Sequence, residues 1–367
     1  MDNKIYEIIE AAESLRRESK YREALVLFTK ARTLSQKRKD IGGLLDANMA
    51  SADVFRIMGD FDSAVEFYTE ALELCEGLCN DLTAADAMVG LGLSYRAVGM
   101  WQKAIRLITK ARKIYMAAGD KKGVAFALWA EAGSLRVAGK IPAAIATFKE
   151  AKRIFASVKF NPGIAYSLAG LGGTHRIVGK TEESLKYYHQ ANEMFHSLRD
   201  TFGSAYTHCG VGNANRIMKD YGKALGHFRK ATRLYEEIGD IVSYSYTLWS
   251  LAMVYKMKGD LIQAGELIGR ARKNFKKTKD PRGIIYCDLA DGEVAWMEGN
   301  NREAQKLMQS ALANAERHKF KLEGCHARLL LLNVVQDFRK GATAKNPPCY
   351  KKIGVGLNFD SMPFNIP

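Results

Sequence analysis

The sequence lacks the long apolar stretches that mark a membrane protein. No run of about 18 apolar residues occurs anywhere in the 367-residue chain, which argues against a membrane-spanning helix. The first ten residues, Met-Asp-Asn-Lys-Ile-Tyr-Glu-Ile-Ile-Glu, also lack the basic-then-apolar order of a secretory signal. We therefore predict a cytoplasmic protein.

Catalytic motifs are missing as well. The sequence contains no glycine-rich phosphate loop, no His-Glu-x-x-His pair and no serine elbow. The seven histidines are scattered, and His175 takes a position that suits packing better than base catalysis. Paired carboxylates such as Asp60 and Asp62 stand at a turn, where they can cap a helix. The prediction is a protein that is not an enzyme and carries no cofactor.

Cysteine is sparse, and the spacing of the cysteines matches no recognisable disulfide framework. Cys75 and Cys79 are four residues apart and could supply two metal ligands, but no second pair of Cys or His completes a site. The other four fall singly, which favours reduced thiols and no metal; they are Cys209, Cys287, Cys325 and Cys349.

Proline is rare and unevenly placed. Four of the seven prolines lie in the final 27 residues, so residues 341–367 form a tail that cannot be another helical unit. Two interpretations stay open: the tail is disordered, or it packs on the helices as a groove ligand, a lid or a docking segment for a partner. The second is favoured by a string of apolar residues, namely Ile353, Val355, Leu357, Phe359, Met362, Phe364 and Ile366.

What the sequence has in abundance is periodicity. One basic residue recurs at intervals of 40, at Arg16, Arg56, Arg96, Arg136, Arg176, Arg216 and Lys256. Alanine recurs at the same interval, at Ala31, Ala71, Ala111, Ala151, Ala191, Ala231, Ala271 and Ala311. Each of these alanines follows a large apolar residue by three positions, so the two side chains lie on one face of a helix. A fixed period of this length indicates stacked supersecondary units.

Each unit also contains a helix that precedes the one with the alanine stripe. This preceding helix has a small residue and a large apolar residue of its own at fixed positions. In the second unit these are Ala52 and Phe55, followed by a turn at Gly59 that suits the left-handed residue ending a helix. Aspartates at the junctions, such as Asp120 and Asp200, are placed to cap the next helix.

Ala52, Phe55, Gly59, Ala64, Tyr68 and Ala71 together resemble the tetratricopeptide-repeat signature. The usual tryptophan of the first helix is absent, and the unit has 40 residues rather than 34. In repeat type the chain is similar to the cell-polarity adaptor family called LGN or Pins and to kinesin light chain. The resemblance implies an all-α, right-handed superhelical solenoid that binds other proteins as a scaffold.

We predict one solenoid over residues 1–340, followed by the tail. It has eight helix pairs, near 3–42, 43–82, 83–122, 123–162, 163–202, 203–242, 243–282 and 283–322, and a cap helix at 323–339. In a solenoid each unit is expected to touch only its neighbours.

The resemblance also implies that the first helix of each unit lines a concave groove. The candidate partner-binding residues at these positions are Arg56, Arg96, Arg136, Arg176, Arg216, Lys256, Phe126, Tyr166, Tyr206, Tyr246, Tyr286, Trp129, Trp249 and Asn213. Small residues beside the arginines, such as Gly133 and Gly173, would leave an open floor.

The net charge of +15 favours an acidic partner. The preferred hypothesis is a non-enzymatic adaptor that binds an extended or helical, acidic protein segment. The alternatives are an RNA- or DNA-binding accessory protein that uses the same arginines and a peptide-sensing regulator; self-association or tail–groove contact also stays open. The arginines have a second interpretation, because a cation in the last helical turn stabilises a helix end.

Overall fold

The computed structural model describes residues 3–334 and 344–367, and the described chain is helical without strands. None of the described helices is long and apolar enough to cross a membrane. The helices are α1 (Asn3–Arg17), α2 (Tyr21–Arg38), α3 (Ile41–Met58), α4 (Phe61–Leu78), α5 (Asp81–Ala97), α6 (Trp101–Ala117), α7 (Lys121–Val137), α8 (Ile141–Ser157), α9 (Asn161–Ile177), α10 (Thr181–Ser197), α11 (Thr201–Ile217), α12 (Tyr221–Ile238), α13 (Ile241–Lys258), α14 (Leu261–Lys277), α15 (Pro281–Met297), α16 (Asn301–Arg317), α17 (Lys321–Val334) and α18 (Cys349–Lys352).

Consecutive helices pack as eight antiparallel pairs in a right-handed superhelix, and α17 covers the last pair. The predicted end of the cap helix, at 339, lies outside the described residues.

The helix boundaries follow from capping. Asp120, Asp200 and Asp280 each accept a hydrogen bond from a backbone N–H at the start of the next helix, at 2.7–3.0 Å. The first helices end at residues with positive φ, which are mostly glycine, such as Gly99. Lys219 adopts the same conformation, with φ of 65°, without being glycine.

Large rings packed directly on glycine set the distance between units. The Tyr68 ring lies against the backbone of Gly90 in the next unit so closely that a methyl group there would overlap it. Phe148 covers Gly170 and Tyr188 covers Gly210 in the same way. Every ring of this set is at least 98% buried, so the same contact fixes the spacing of successive helices.

The superhelix is tight enough that distant units touch. The Trp101 indole N–H donates to the carbonyl of His318 at 3.1 Å, and Lys279 forms an ion pair with Asp62. The partners in each pair are 217 residues apart, slightly more than five 40-residue units. The expectation that each unit touches only its neighbours is therefore wrong, because the curvature closes the groove into a lumen.

The tail forms part of the core. Cys325 of α17 and Cys349 form a disulfide, with Cα atoms 5.9 Å apart, so the expectation of reduced thiols at these two positions is wrong. The chain then crosses to the α9–α10 turn, where the N–H of Gly356 donates to the carbonyl of Val178 at 3.3 Å. Of the apolar string, four residues are fully buried and packed with α15 and α17, namely Ile353, Val355, Phe364 and Ile366.

His326 is buried where α17 meets the tail, and it makes stability depend on pH. Its Nδ1 lies 2.7 Å from the Tyr350 hydroxyl, and burial lowers its pKa to about 4. Because the imidazole titrates near 6.5 in the unfolded chain, stability is full above that pH and falls as pH drops from about 6.5 to about 4.

We expect the wild-type protein to lose about 3 kcal/mol more unfolding free energy than His326→Gln over this interval. Urea unfolding at pH 7 and pH 4 measures the difference. Equal losses in the two proteins would show that His326 does not carry the effect.

Candidate functional site

The periodic cations lie at the ends of the first helices and turn inward. Arg56 donates to Asp53 at 3.0 Å and to the Tyr68 hydroxyl at 3.3 Å, and Arg216 donates to Asn213 at 3.2 Å. Within the described chain, the side-chain hydrogen bonds of the row do not go to the last carbonyls of their own helices. All five arginines from Arg56 to Arg216 nevertheless lie in the last turn of their helices, so their position still agrees with the interpretation of a cation that stabilises a helix end.

Several of the cations lie next to the residue 37 positions further along, on the first helix of the following unit. The ion pair of Lys256 with Glu293 has this separation. The same register places Arg96 over Gly133 and Arg136 over Gly173, where a methyl group would lie less than 3.0 Å from the guanidinium. The charges of Arg16 and Asp53 interact at this separation as well. In the sequence, the residues 37 positions after the seven cations are Asp53, Leu93, Gly133, Gly173, Asn213, Met253 and Glu293.

This register leaves the middle of the row without counter-charge. Acidic residues meet the cations at the two ends, at Asp53 and Glu293. Within the described residues, Arg96, Arg136 and Arg176 form no ion pair and no hydrogen bond with a carboxylate. Three neighbouring guanidinium groups therefore concentrate positive charge in the lumen.

These three groups are half-buried as well as close to other cations. Burial, followed by the charges of Arg136 and Arg56, lowers the pKa of Arg96 to about 10. The Nε atom of Arg176 is buried and has no hydrogen-bond partner among the described residues. Such a donor favours an acceptor from outside the protein.

Two cavities lie along this row. The polar cavity has a volume of about 270 Å³, and its walls include Arg136, Arg176, Arg282, Tyr206 and Tyr246. The aromatic cavity has a volume of about 470 Å³, and its walls are Tyr21, Arg56, Ile57, Leu93, Lys122, Phe126, Trp129, Phe155, Phe160, Pro162, Gly163, Tyr166, Asp200 and Phe202. Arg96 interacts electrostatically with Arg56 of the aromatic cavity and Arg136 of the polar one, which places it between them.

The predicted tyrosine row has a structural role in part. The hydroxyls of Tyr166 and Tyr246 donate to Asp200 and Asp280 at 2.8 and 2.9 Å, and both aspartates cap the following helix. Both rings still form cavity walls. Phe126, Trp129 and Tyr206 are half-buried on the same walls.

Five predicted groove residues are buried, although three of them, Asn213, Trp249 and Tyr286, still line the polar cavity. Trp249 donates to the carbonyl of Tyr286 at 3.0 Å, and Tyr286 in turn donates to Glu323 at 3.2 Å, so both tie adjacent units together. Asn213 bridges Arg216 and Ser250. Arg216 and Lys256 are 0% exposed because the tail lies over them.

Two functional candidates were missed from the sequence. Arg282 lines the polar cavity and pairs with Glu323 at 2.5 Å. Glu293 pairs with Lys256 and accepts a hydrogen bond from the tail at 2.6 Å. The 37-residue register would have revealed Glu293. Arg282 has one basic counterpart in the 40-residue register, Lys122, so no continuous basic row pointed to it.

These features define a helical-repeat solenoid with a closed concave groove. The Tetratricopeptide repeat family model matches residues 43–117 and 163–237. Both matched segments are thus similar to tetratricopeptide repeats, and the paired helices of the described chain agree with that repeat type. No curated protein matches the sequence.

Solved structures share the fold at low identity. The Rap conjugation gene regulator of the plasmid pLS20, in complex with the Phr* peptide, has a TM-score of 0.64 at 14% identity and covers 86% of this chain and 96% of its own. The hetero-tetramer Cut9-Hcn1 of APC/C has a TM-score of 0.62 at 16% identity and covers 90% and 55%. Aspartyl phosphate phosphatase F from Bacillus subtilis has a TM-score of 0.57 at 12% identity and covers 88% and 96%.

The two kinds of glycine contact predict different effects of alanine. In Gly90→Ala the new methyl group meets the buried Tyr68 ring, whereas in Gly133→Ala it meets the flexible end of Arg96. We expect Gly90→Ala to destabilise the fold by about 1–3 kcal/mol through overpacking. Gly133→Ala should change stability by less than about 1 kcal/mol, since Arg96 can move and alanine favours the helix. Urea unfolding of the two variants tests this, and equal destabilisation would contradict it.

Proposed function

We propose that the groove binds an extended, acidic protein segment and that the chain is a non-enzymatic adaptor. The observation that carries this proposal is the set of three arginines, Arg96, Arg136 and Arg176, without carboxylate partners in the described chain. A carboxylate accepts two parallel hydrogen bonds from a guanidinium, and such bonds strengthen in a cavity that excludes water.

The cavity sizes favour an extended segment over a helix. A helix with its side chains is about 10–12 Å in diameter, whereas the polar cavity holds only about 270 Å³. The aromatic cavity, with about 470 Å³ and several rings on its walls, suits one apolar or aromatic side chain of the same segment. The proposed ligand thus combines an apolar anchor with acidic residues that follow along the arginines.

The polar cavity offers little for catalysis. Its thiol, Cys209, has a pKa raised by burial, which opposes formation of the nucleophilic thiolate. The peptide in the complex of the Rap regulator supports a peptide-binding use of this architecture. The cytoplasmic location remains a prediction from the sequence.

Nucleic acid is the weaker alternative because the unpaired arginines face a narrow lumen. A nucleic acid ligand would require a continuous basic surface that follows its backbone. The contacts between Trp101 and His318 and between Lys279 and Asp62 instead close the groove.

The arginine proposal predicts a charge-specific loss of binding. The probes are two labelled decapeptides with one Phe each, one carrying three Glu and the other three Gln. Arg136→Gln and Arg176→Gln should each weaken binding of the Glu peptide about 10- to 100-fold, because each loses a hydrogen bond to a charged group. Fluorescence anisotropy at two salt concentrations measures this.

Arg153→Gln is the matched control, since Arg153 is exposed on α8 and paired with Glu150. It should leave binding unchanged. Equal affinity for the Glu and Gln peptides would contradict the proposal. Tighter binding of a single-stranded oligonucleotide, with affinity falling linearly with the logarithm of salt concentration, would favour the nucleic-acid alternative.

A further inference from the structure

The tail is bound in the lumen through its backbone by a buried ion pair. Lys256 and Glu293 are 0% and 1% exposed. Lys256 donates to the carbonyl of Phe364 at 3.0 Å, and Glu293 accepts from the N–H of the same residue at 2.6 Å. Both backbone groups of one extended residue are thus held by side chains of two neighbouring units.

The next residue, Asn365, is bound through its side chain. The amide oxygen of Asn365 accepts a hydrogen bond from Arg216, and its amide nitrogen donates to the Arg216 carbonyl at 2.7 Å. Arg216 also donates to the carbonyl of Ile366 at 2.8 Å. A side-chain amide accepts from the guanidinium with its oxygen and donates to the carbonyl with its nitrogen, whereas a carboxylate cannot donate and an apolar group does neither.

Arg216 receives neutral acceptors from the tail but no counter-charge. Burial and the nearby charge of Arg176 lower the pKa of Arg216 to about 9, so the cation is held in an unfavourable environment. The hydrogen bonds that Arg216 donates to the neutral oxygens of Asn365 and Ile366 offset part of that cost.

We propose that Arg216, Lys256 and Glu293 form a second peptide site, specific for an extended segment with a side-chain amide after an aromatic residue. Its resident ligand is the tail segment 363–366 of the same chain. This inference extends the proposed function, since it treats the same groove as peptide-binding, but it depends on different residues.

Occupation by the tail weakens binding of any external segment to this site. The disulfide between Cys325 and Cys349 holds the tail to α17, only 15 residues before Phe364. Because the tail is tethered this close to the site, its effective concentration there is at least on the order of millimolar. An external peptide must compete with that concentration, whereas a protein whose tail has left the site binds the peptide directly.

The test uses the full chain and a labelled, C-terminally amidated peptide with the sequence of residues 358–367, Asn-Phe-Asp-Ser-Met-Pro-Phe-Asn-Ile-Pro. Asn365→Ala and Phe364→Ala weaken the attached tail. We expect each to bind the peptide at least about tenfold more tightly than the wild-type protein does. The same peptide with alanine in place of Asn365 should bind these variants about 10- to 100-fold more weakly.

The double variant Lys351→Ala, Lys352→Ala is the control, because both lysines are exposed on α18. It should bind the peptide as weakly as the wild-type protein. The proposal is overturned if wild type and tail variants bind the peptide equally, if no binding occurs up to millimolar peptide, or if the alanine peptide binds as well. Loss of helical dichroism in both tail variants would also overturn it, by showing that the segment is a structural plug.

A further variant distinguishes this proposal from the proposed binding of an acidic segment. Arg96→Gln, placed in the Asn365→Ala background, should leave binding of the tail peptide within about twofold, because Arg96 forms no hydrogen bond with the described tail residues and does not line the polar cavity, whose walls include Pro367. The acidic-decapeptide experiment can then fail while this one succeeds, and the reverse also holds.

Discussion

The contact between an aromatic ring and a bare glycine backbone is the constraint on which the structure depends. This contact is formed by three rings, each of which lies directly against a glycine of the following unit: Tyr68, Phe148 and Tyr188. The absence of a side chain at that point lets the two helices approach closely, and the rigid ring leaves little freedom in the angle between them. Since the contact recurs at three unit boundaries, it fixes the approach of the units there in the same way.

Because equivalent units stack on one another, the 40-residue period of the sequence becomes a row of side chains in the structure. Residues 40 positions apart occupy equivalent places on successive helices, so the cations form a line along the lumen. The charge of that line varies only because its facing residues vary. Asp53 and Glu293 compensate the ends, while Gly133 and Gly173 contribute no charge to the middle. The position of the charged region is thus set by a few facing residues rather than by the arginines.

The sequence was sufficient for the repeat architecture because the information is local. The alanine stripe, the turn glycines and the capping aspartates act within one unit or between adjacent units, and periodicity reveals them. The small residues beside the arginines do not leave the open floor that the sequence suggested, because the guanidinium groups of Arg96 and Arg136 lie over Gly133 and Gly173.

The remaining features depend on distances that no local pattern encodes. The contact of Trp101 with His318 results from the accumulated curvature of more than five units, in which a small change of angle at each step would separate the partners. The tail has no period, so its course over Arg216 and Lys256 was one of several possibilities. Burial of these two cations followed from that course.

Closure of the superhelix also restricts how a ligand can arrive. In an open solenoid a protein segment can settle sideways into the groove, even when folded domains flank it on both sides. Here the contacts between Lys279 and Asp62 and between Trp101 and His318 bridge that side. A segment must therefore thread along the superhelix axis with one end first, or wait until the bridges open. Such a molecule selects its ligands by their free ends as well as by their side chains.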